Sequence, residues 1–160
     1  MALGYRIEAV SIIGTEVMQP RGLTGLAFDT LASSTMEIFS VFRLLADEKN
    51  YPVMIHCTQG KDRTGLIVLL LLSMLEVPVA AIAADYRASE RELEVEMEER
   101  LDELRKGGLE ADFARCPTGF VEAVVAEIEN KYGGIERYLN EKVGVDEGMQ
   151  RKIRSIMLHQ

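Results

Sequence analysis

The chain has 160 residues, a formal net charge of −8 and 48% apolar residues. That length and composition indicate one globular domain, residues 1–160, and exclude a disordered chain. The acidic balance argues against nucleic acid as a partner, and the longest strongly apolar run, Leu66 to Leu72, is far short of the roughly 20 residues of a membrane-spanning helix.

The opening residues, MALGYRIEAV, lack the basic start and long apolar stretch of a signal peptide, so none is expected. The β-branched segment YRIEAVSII (5–13) predicts a strand. Residues 14–25, broken by glycines and a proline, predict a loop. Ser34 with Glu37 three positions on has the pattern of a capping box. It predicts a helix to about Asp47, with Ile38, Phe42 and Leu45 on one face. YPVMIH (51–56) reads as a short buried strand, followed by a helix from about Arg63 to Leu75. Pro78 is placed to open the next helix. Glu90 to Lys106 carries Leu93, Met97, Leu101 and Leu104 on one stripe and predicts an amphipathic helix with a solvated charged face. A further helix is expected from near Pro117 to the Gly133–Gly134 stop, and two short ones over 135–142 and 146–158. The fold class is therefore α/β, helix-rich, with a small central sheet and a polar loop between a buried strand and a helix.

That polar loop, HCTQGKDRTG (56–65), concentrates the chemistry. A Walker-type loop would need glycine at 55 and serine or threonine at 62, where this chain has Ile55 and Asp62. A metal site would need several ligands at short spacing, and His56 and Cys57 stand far in sequence from Cys116 and His159. No metal or other cofactor is expected. What remains is a strand, a cysteine, five residues, an arginine and a helix. Backbone N–H groups of a tight loop at a helix N-terminus make an anion site, and the same field favours a thiolate. Arg63 has the planar fork that grips two phosphate oxygens. Gly60 and Gly65 permit the tight backbone, Thr64 can donate to the sulfur, and His56 can steady the loop through backbone hydrogen bonds. Taken alone, Cys57 reads as a small buried hydrophobe, His56 as a satisfied core histidine and Lys61 as a solvated cation. Their register between two apolar segments is what lifts the loop above those readings. Cys116 reads as structural. Two cysteines are too few for a disulfide framework, and a cytoplasmic, reducing compartment is expected.

The loop resembles the signature of the cysteine-based protein tyrosine phosphatase superfamily: His-Cys, five residues, Arg, then Ser or Thr. Gly-Lys-Asp-Arg-Thr-Gly is similar, more narrowly, to the bacterial and fungal tyrosine phosphatase-like family that includes secreted mycobacterial and Listeria enzymes, some of which also act on phosphoinositides. The flanking stretches ADYRASE and YGGIERYL resemble fungal members, and the likeness runs from about residue 5 to 155. It implies that Cys57 is the nucleophile and Arg63 the phosphate-binding arginine. Thr58, Gln59, Gly60, Lys61 and Asp62 would form the cradle, and Thr64 would assist the sulfur. Lys61 would add a cation that suits multiply phosphorylated substrates. The implied reaction is hydrolysis of phosphotyrosine, and of phosphoinositides, through a cysteinyl-phosphate; the partners are a phosphorylated protein or an inositol lipid. A phosphate-binding module with little turnover is the alternative.

Two features depart from the resemblance. The superfamily's general acid has no clear match: Asp29 lies 28 residues before Cys57, next to a helix start, while Asp62 lies inside the loop, and Asp85 reads as structural. The relatives also carry an Asp-Leu-Arg strand ahead of the segment that 5–13 resembles, so the domain reads as N-terminally incomplete. An unpaired strand at 5–13 would expose a sheet edge, and a homodimer through that N-terminal edge is expected.

Overall fold

The computed structural model describes residues 2–158, with side chains from Glu8 onward. The helices are α1 (Ala2–Ile13), α2 (Gln19–Ser33), α3 (Thr35–Leu45), α4 (Asp62–Met74), α5 (Val79–Glu92), α6 (Met97–Lys106), α7 (Phe120–Tyr132), α8 (Ile135–Arg137) and α9 (Glu147–Leu158). Short 3-10 turns precede and follow several of them, and π-helical turns span Gly14–Met18 and Tyr138–Val143.

Helix α4 is the axis of the core. Its run of Leu, Ile and Val is apolar on every side because neighbours surround it: Leu66, Leu69, Leu70 and Met74 are all buried. Each such side chain contributes about 1.5–3 kcal/mol when taken out of water. Ile38, Phe42 and Leu45 of α3 face this core as their helical spacing predicts. Ile82 and Tyr86 of α5 and Phe120, Val121, Val124 and Ile128 of α7 complete the packing. Buried and half-buried polar groups tie the ends of elements together. The Tyr138 hydroxyl donates to the Leu31 carbonyl at 2.9 Å, and Arg154 Nε donates to the Met74 carbonyl at 3.1 Å. Both carbonyls lie in the last turn of their helix, where no intrahelical donor remains.

Helix stops follow the sequence closely. Gly133 adopts φ +77°, and the N–H groups of Gly133 and Gly134 return to the carbonyls of Glu129 and Ile128, closing α7. Asp146 accepts from the Met149 N–H at 2.7 Å and so caps α9. Ser34 does separate α2 from α3, but its side chain makes no cap bond, so the expected capping box is not formed. The expected helix over 90–106 is interrupted at Leu93, where a 3-10 turn leads into α6.

The expected central sheet is not formed: no strand occurs among the described residues. Residues 5–13 are helical, within α1, despite their β-branched content. Residues 51–56 run as irregular chain, with Met54 87% exposed rather than buried. The cause is pairing. A strand satisfies its N–H and C=O groups only through a neighbour, whereas a helix satisfies them internally. With 5–13 helical, 51–56 has no partner, and β propensity without a partner decides little. The sheet edge expected to recruit a second copy disappears with the strand. What α1 and the turn after it present instead is a scatter of exposed Val10, Ile12, Ile13 and Val17.

The expected loop at 14–25 is also mostly helical, broken at Gly22, where φ +61° and ψ 172° leave the helical region. This segment crosses the turn after α6 at contact distance. A Cβ on Gly14 would stand 1.8 Å from the Gly107 carbonyl oxygen. The Thr15 hydroxyl donates to the Gly108 carbonyl at 3.1 Å, and Gln19 accepts from the Glu110 N–H at 2.9 Å. The crossing brings the start of α2 over the end of α6 and roofs a cavity.

Candidate active site

Residues 56–61 form a loop that delivers the chain into the N-terminus of α4, where four N–H groups lack intrahelical acceptors. Gly60 takes φ +65°, a conformation that favours glycine. Gly65 is required for space: a Cβ there would lie 2.9 Å from the Tyr86 ring, which is itself stacked on Phe120. The loop thus rests on an aromatic pair and cannot retreat from it.

Cys57 is half-buried at the centre of this turn. Burial pushes its thiol up, but the Thr64 hydroxyl and the backbone N–H groups of Thr64, Gln59 and Lys61 outweigh burial and bring it down to about 7. The Thr64 hydroxyl is buried, makes no other hydrogen bond among the described residues, and lies close enough to the Cys57 sulfur to favour its thiolate. Cys116 is the contrasting case. It is buried near Tyr86, and burial pushes its thiol above the ordinary range. Both cysteines are free.

Arg63 is exposed, and its Nη2 donates to the Thr58 hydroxyl at 2.9 Å across the loop. His56 is exposed as well, with Nδ1 3.4 Å from the Cys57 carbonyl oxygen. Lys61 is not a free cation. Its side chain is fully buried, and Nζ donates to the Asp62 carboxylate and, at 3.0 Å, to the Arg115 carbonyl. It braces the loop against the segment that precedes α7.

The cavity over the loop has a volume of about 470 Å³. Cys57, Thr58, Gln59, Asp62 and Arg63 line one part of it, and Leu23, Leu26, Leu104, Leu109 and Phe113 supply apolar walls. Asp29 and Asp62 both reach it. Asp29 is clasped by Arg21, whose Nε donates to Oδ2 at 2.8 Å and whose Nη2 contacts Oδ1, so both of its oxygens are occupied. Asp62 is held by Lys61 at Oδ1 alone. The arrangement can do two things. It can seat a dianion against backbone N–H groups and a guanidinium, and it can present a low-pKa sulfur to the seated atom. Among the described residues, no three His, Cys, Asp or Glu side chains gather as a metal site would require.

The sequence did not single out Arg100. It is 3% exposed, and its Nη2 donates to Gln59 Oε1 at 2.7 Å. Its signal was positional. Arg100 lies three residues after Met97 and four before Leu104, on the buried stripe of α6 rather than its solvated face.

Known proteins similar in sequence to this chain are phosphatases. A tyrosine-protein phosphatase of Nostoc commune is 32% identical over 169 aligned positions, covering 94% of this chain and 57% of that protein. A triple specificity protein phosphatase of Mycobacterium tuberculosis is 25% identical, over 82% of this chain and 52% of that protein. An inositol diphosphatase of Arabidopsis thaliana is 35% identical over a shorter stretch, 32% of this chain and 20% of that protein. The chain spans about half the length of the first two relatives. Residues 18–159 match the family described as the tyrosine phosphatase family, and the chain belongs to that family.

Proposed function

We infer that the chain hydrolyses phosphate monoesters of aromatic alcohols, phosphotyrosine above all, with Cys57 as nucleophile. The observation that carries this reading is the convergence of three backbone N–H groups and the Thr64 hydroxyl on a cysteine held near pKa 7. In the first step the Cys57 sulfur attacks phosphorus and an S–P bond forms. The ester P–O bond breaks, and the leaving oxygen takes the proton that Asp62, in its protonated form, carries on Oδ2, the oxygen left open by the Lys61 contact at Oδ1. Water then attacks the phosphocysteine and gives a proton back to Asp62 Oδ2 as the S–P bond breaks, releasing orthophosphate and restoring the thiolate. Arg63, by leaving Thr58 for the phosphate, would pair two of its N–H groups with two equatorial oxygens. The apolar walls favour an aryl group over a bare alkyl one. Inositol phosphates form a second substrate class, supported by the name of the plant relative, an inositol diphosphatase. A reducing compartment fits a site that works only as a free thiolate, and no described helix is long and apolar enough to cross a membrane.

The test is hydrolysis of p-nitrophenyl phosphate in the presence of a reductant and a chelator. The expected result is turnover that falls at least about 10³-fold in Cys57→Ser, since a removed nucleophile leaves only binding and electrostatic stabilisation. Activity that survives the substitution refutes the mechanism. A second reading, a phosphate-binding module with little turnover, is favoured by one observation: both candidate acids are already paired, Asp29 with Arg21 and Asp62 with Lys61. A turnover of order 1 s⁻¹ excludes it.

A further inference from the structure

We propose that Arg100 is a specificity residue that binds a second phosphate carried close to the one seated over Cys57. This deepens the reading above and rests on it for the identity of the first phosphate. The observation is an uncompensated buried charge. Arg100 is 3% exposed, has no carboxylate within 4 Å among the described residues, and makes one hydrogen bond, to the neutral amide oxygen of Gln59. Its Nε and Nη1 are buried with no hydrogen-bond partner among the described residues. A guanidinium taken out of water is expensive unless it is paired and its N–H groups are satisfied. The protein carries 26 acidic residues against 18 basic ones, yet among the described residues none is brought to ion-pair distance of Arg100. Lys61 cannot serve in its place, because its ammonium is already neutralised by Asp62.

The position of Arg100 says what would compensate it. Gln59 belongs to the cradle and lines the cavity, as does Leu104 one turn along α6. Arg100 itself does not line the cavity and meets the cradle through Gln59. When Gln59 turns aside, an anionic oxygen can replace its amide oxygen, and a charge-assisted bond is roughly twice as strong as a neutral one. The free Nε and Nη1 then meet further oxygens of the same group. Burial selects the ligand: a carboxylate on a flanking peptide residue would remain at the mouth, whereas a second phosphate on the same small molecule can follow the first inward. The ligand class is a molecule with two phosphates on adjacent positions, as a soluble phosphate or as a lipid headgroup.

Binding, rather than turnover, separates this proposal from the catalytic one. Titration calorimetry would measure inorganic diphosphate and orthophosphate on the unmodified chain, Arg100→Gln and Arg100→Lys. The expected result is diphosphate bound at least tenfold tighter than orthophosphate by the unmodified chain. That ratio should fall toward one in Arg100→Gln and be partly kept in Arg100→Lys. A ratio near one in the unmodified chain, or one that survives Arg100→Gln, overturns the proposal. If circular dichroism shows Arg100→Gln unfolded, Gln59→Ala decides. Removing the competing amide should raise the diphosphate preference, and an unchanged or lower preference refutes the exchange. An acidic phosphotyrosine peptide that loses affinity in Arg100→Gln while the diphosphate ratio holds also overturns it. Soluble inositol bisphosphate compared with vesicles bearing the same headgroup then identifies the source. All of these readings stand even if Cys57→Ser leaves hydrolysis intact.

Discussion

The loop at 56–65 and the segment at 5–13 both invited confident readings, and only one of them folds as its residues suggest. The loop's structure is local. Gly60 sets its turn, α4 supplies the N–H groups, and Gly65 seats it on Tyr86. Every hydrogen bond that lowers the Cys57 pKa comes from a residue within seven positions of it. The segment 5–13 is different, because its proposed strand needed a neighbour brought from elsewhere. None is there, and the residues satisfy their backbone as a helix. Local chemistry survives the loss of distant partners; sheet structure does not.

The largest expected break in this comparison comes from the proton supply. Asp62→Asn should lower hydrolysis of an alkyl phosphate by about 10²–10⁴-fold and affect p-nitrophenyl phosphate much less, since a good leaving group needs little protonation. Asp29→Asn should leave that ratio in place, because Arg21 occupies both of its oxygens. Steady-state rates on the two substrates decide between them. An unchanged ratio in Asp62→Asn removes Asp62 as the proton source.

The sequence was informative wherever structure followed from neighbours in the chain. The stripe of Ile38, Phe42 and Leu45, the buried run of α4, the glycine stop after Tyr132 and the cradle glycines could all be read directly. Three things could not. The fate of 5–13 and 51–56 depended on pairing. The Lys61 ammonium turned inward because Asp62 and the Arg115 carbonyl, 54 residues away, meet it there. Arg100 looked like one more charge on a charged helix, and only the packing of α6 against Gln59 sets it apart.

A second, smaller break concerns the seat of the loop. Gly65→Ala places a methyl 2.9 Å from the Tyr86 ring, which the stack on Phe120 holds in place. Overpacking of this kind costs about 1–3 kcal/mol. Thermal denaturation should show that loss, together with a fall in kcat as the cradle is lifted from its support. Full stability in Gly65→Ala would mean that the ring yields freely. The electrostatic part of the cradle is tested by the rate of iodoacetamide alkylation against pH. Cys57 has its pKa lowered in the folded chain, so the reactive thiolate is present above pH 7 and is lost as pH falls through that value. The midpoint should stand near 7 and move toward the free-thiol value of about 8.5 in Thr64→Val, which removes the hydroxyl and keeps the shape. A midpoint that does not move assigns the effect to the backbone N–H groups alone.

The smallest expected effect lies in the other half of the comparison. Val10, Ile12, Ile13 and Val17 are each more than half exposed, so they add little to the fold that the cradle depends on. The contacts that anchor this segment come from its other side, where Gly14 and Thr15 meet Gly107 and Gly108. Ile12→Ser should therefore change stability by no more than about 0.5 kcal/mol, as substitutions on an open surface do. By contrast, Leu70→Ala, in the core, should cost about 2–5 kcal/mol. Melting temperatures measured over a hundredfold range of protein concentration make the comparison decisive. A concentration-independent shift of a degree or two in Ile12→Ser confirms an open face. A large loss that grows with concentration would show that a second copy covers these residues, and the N-terminal region would then be held by contacts as specific as those of the loop.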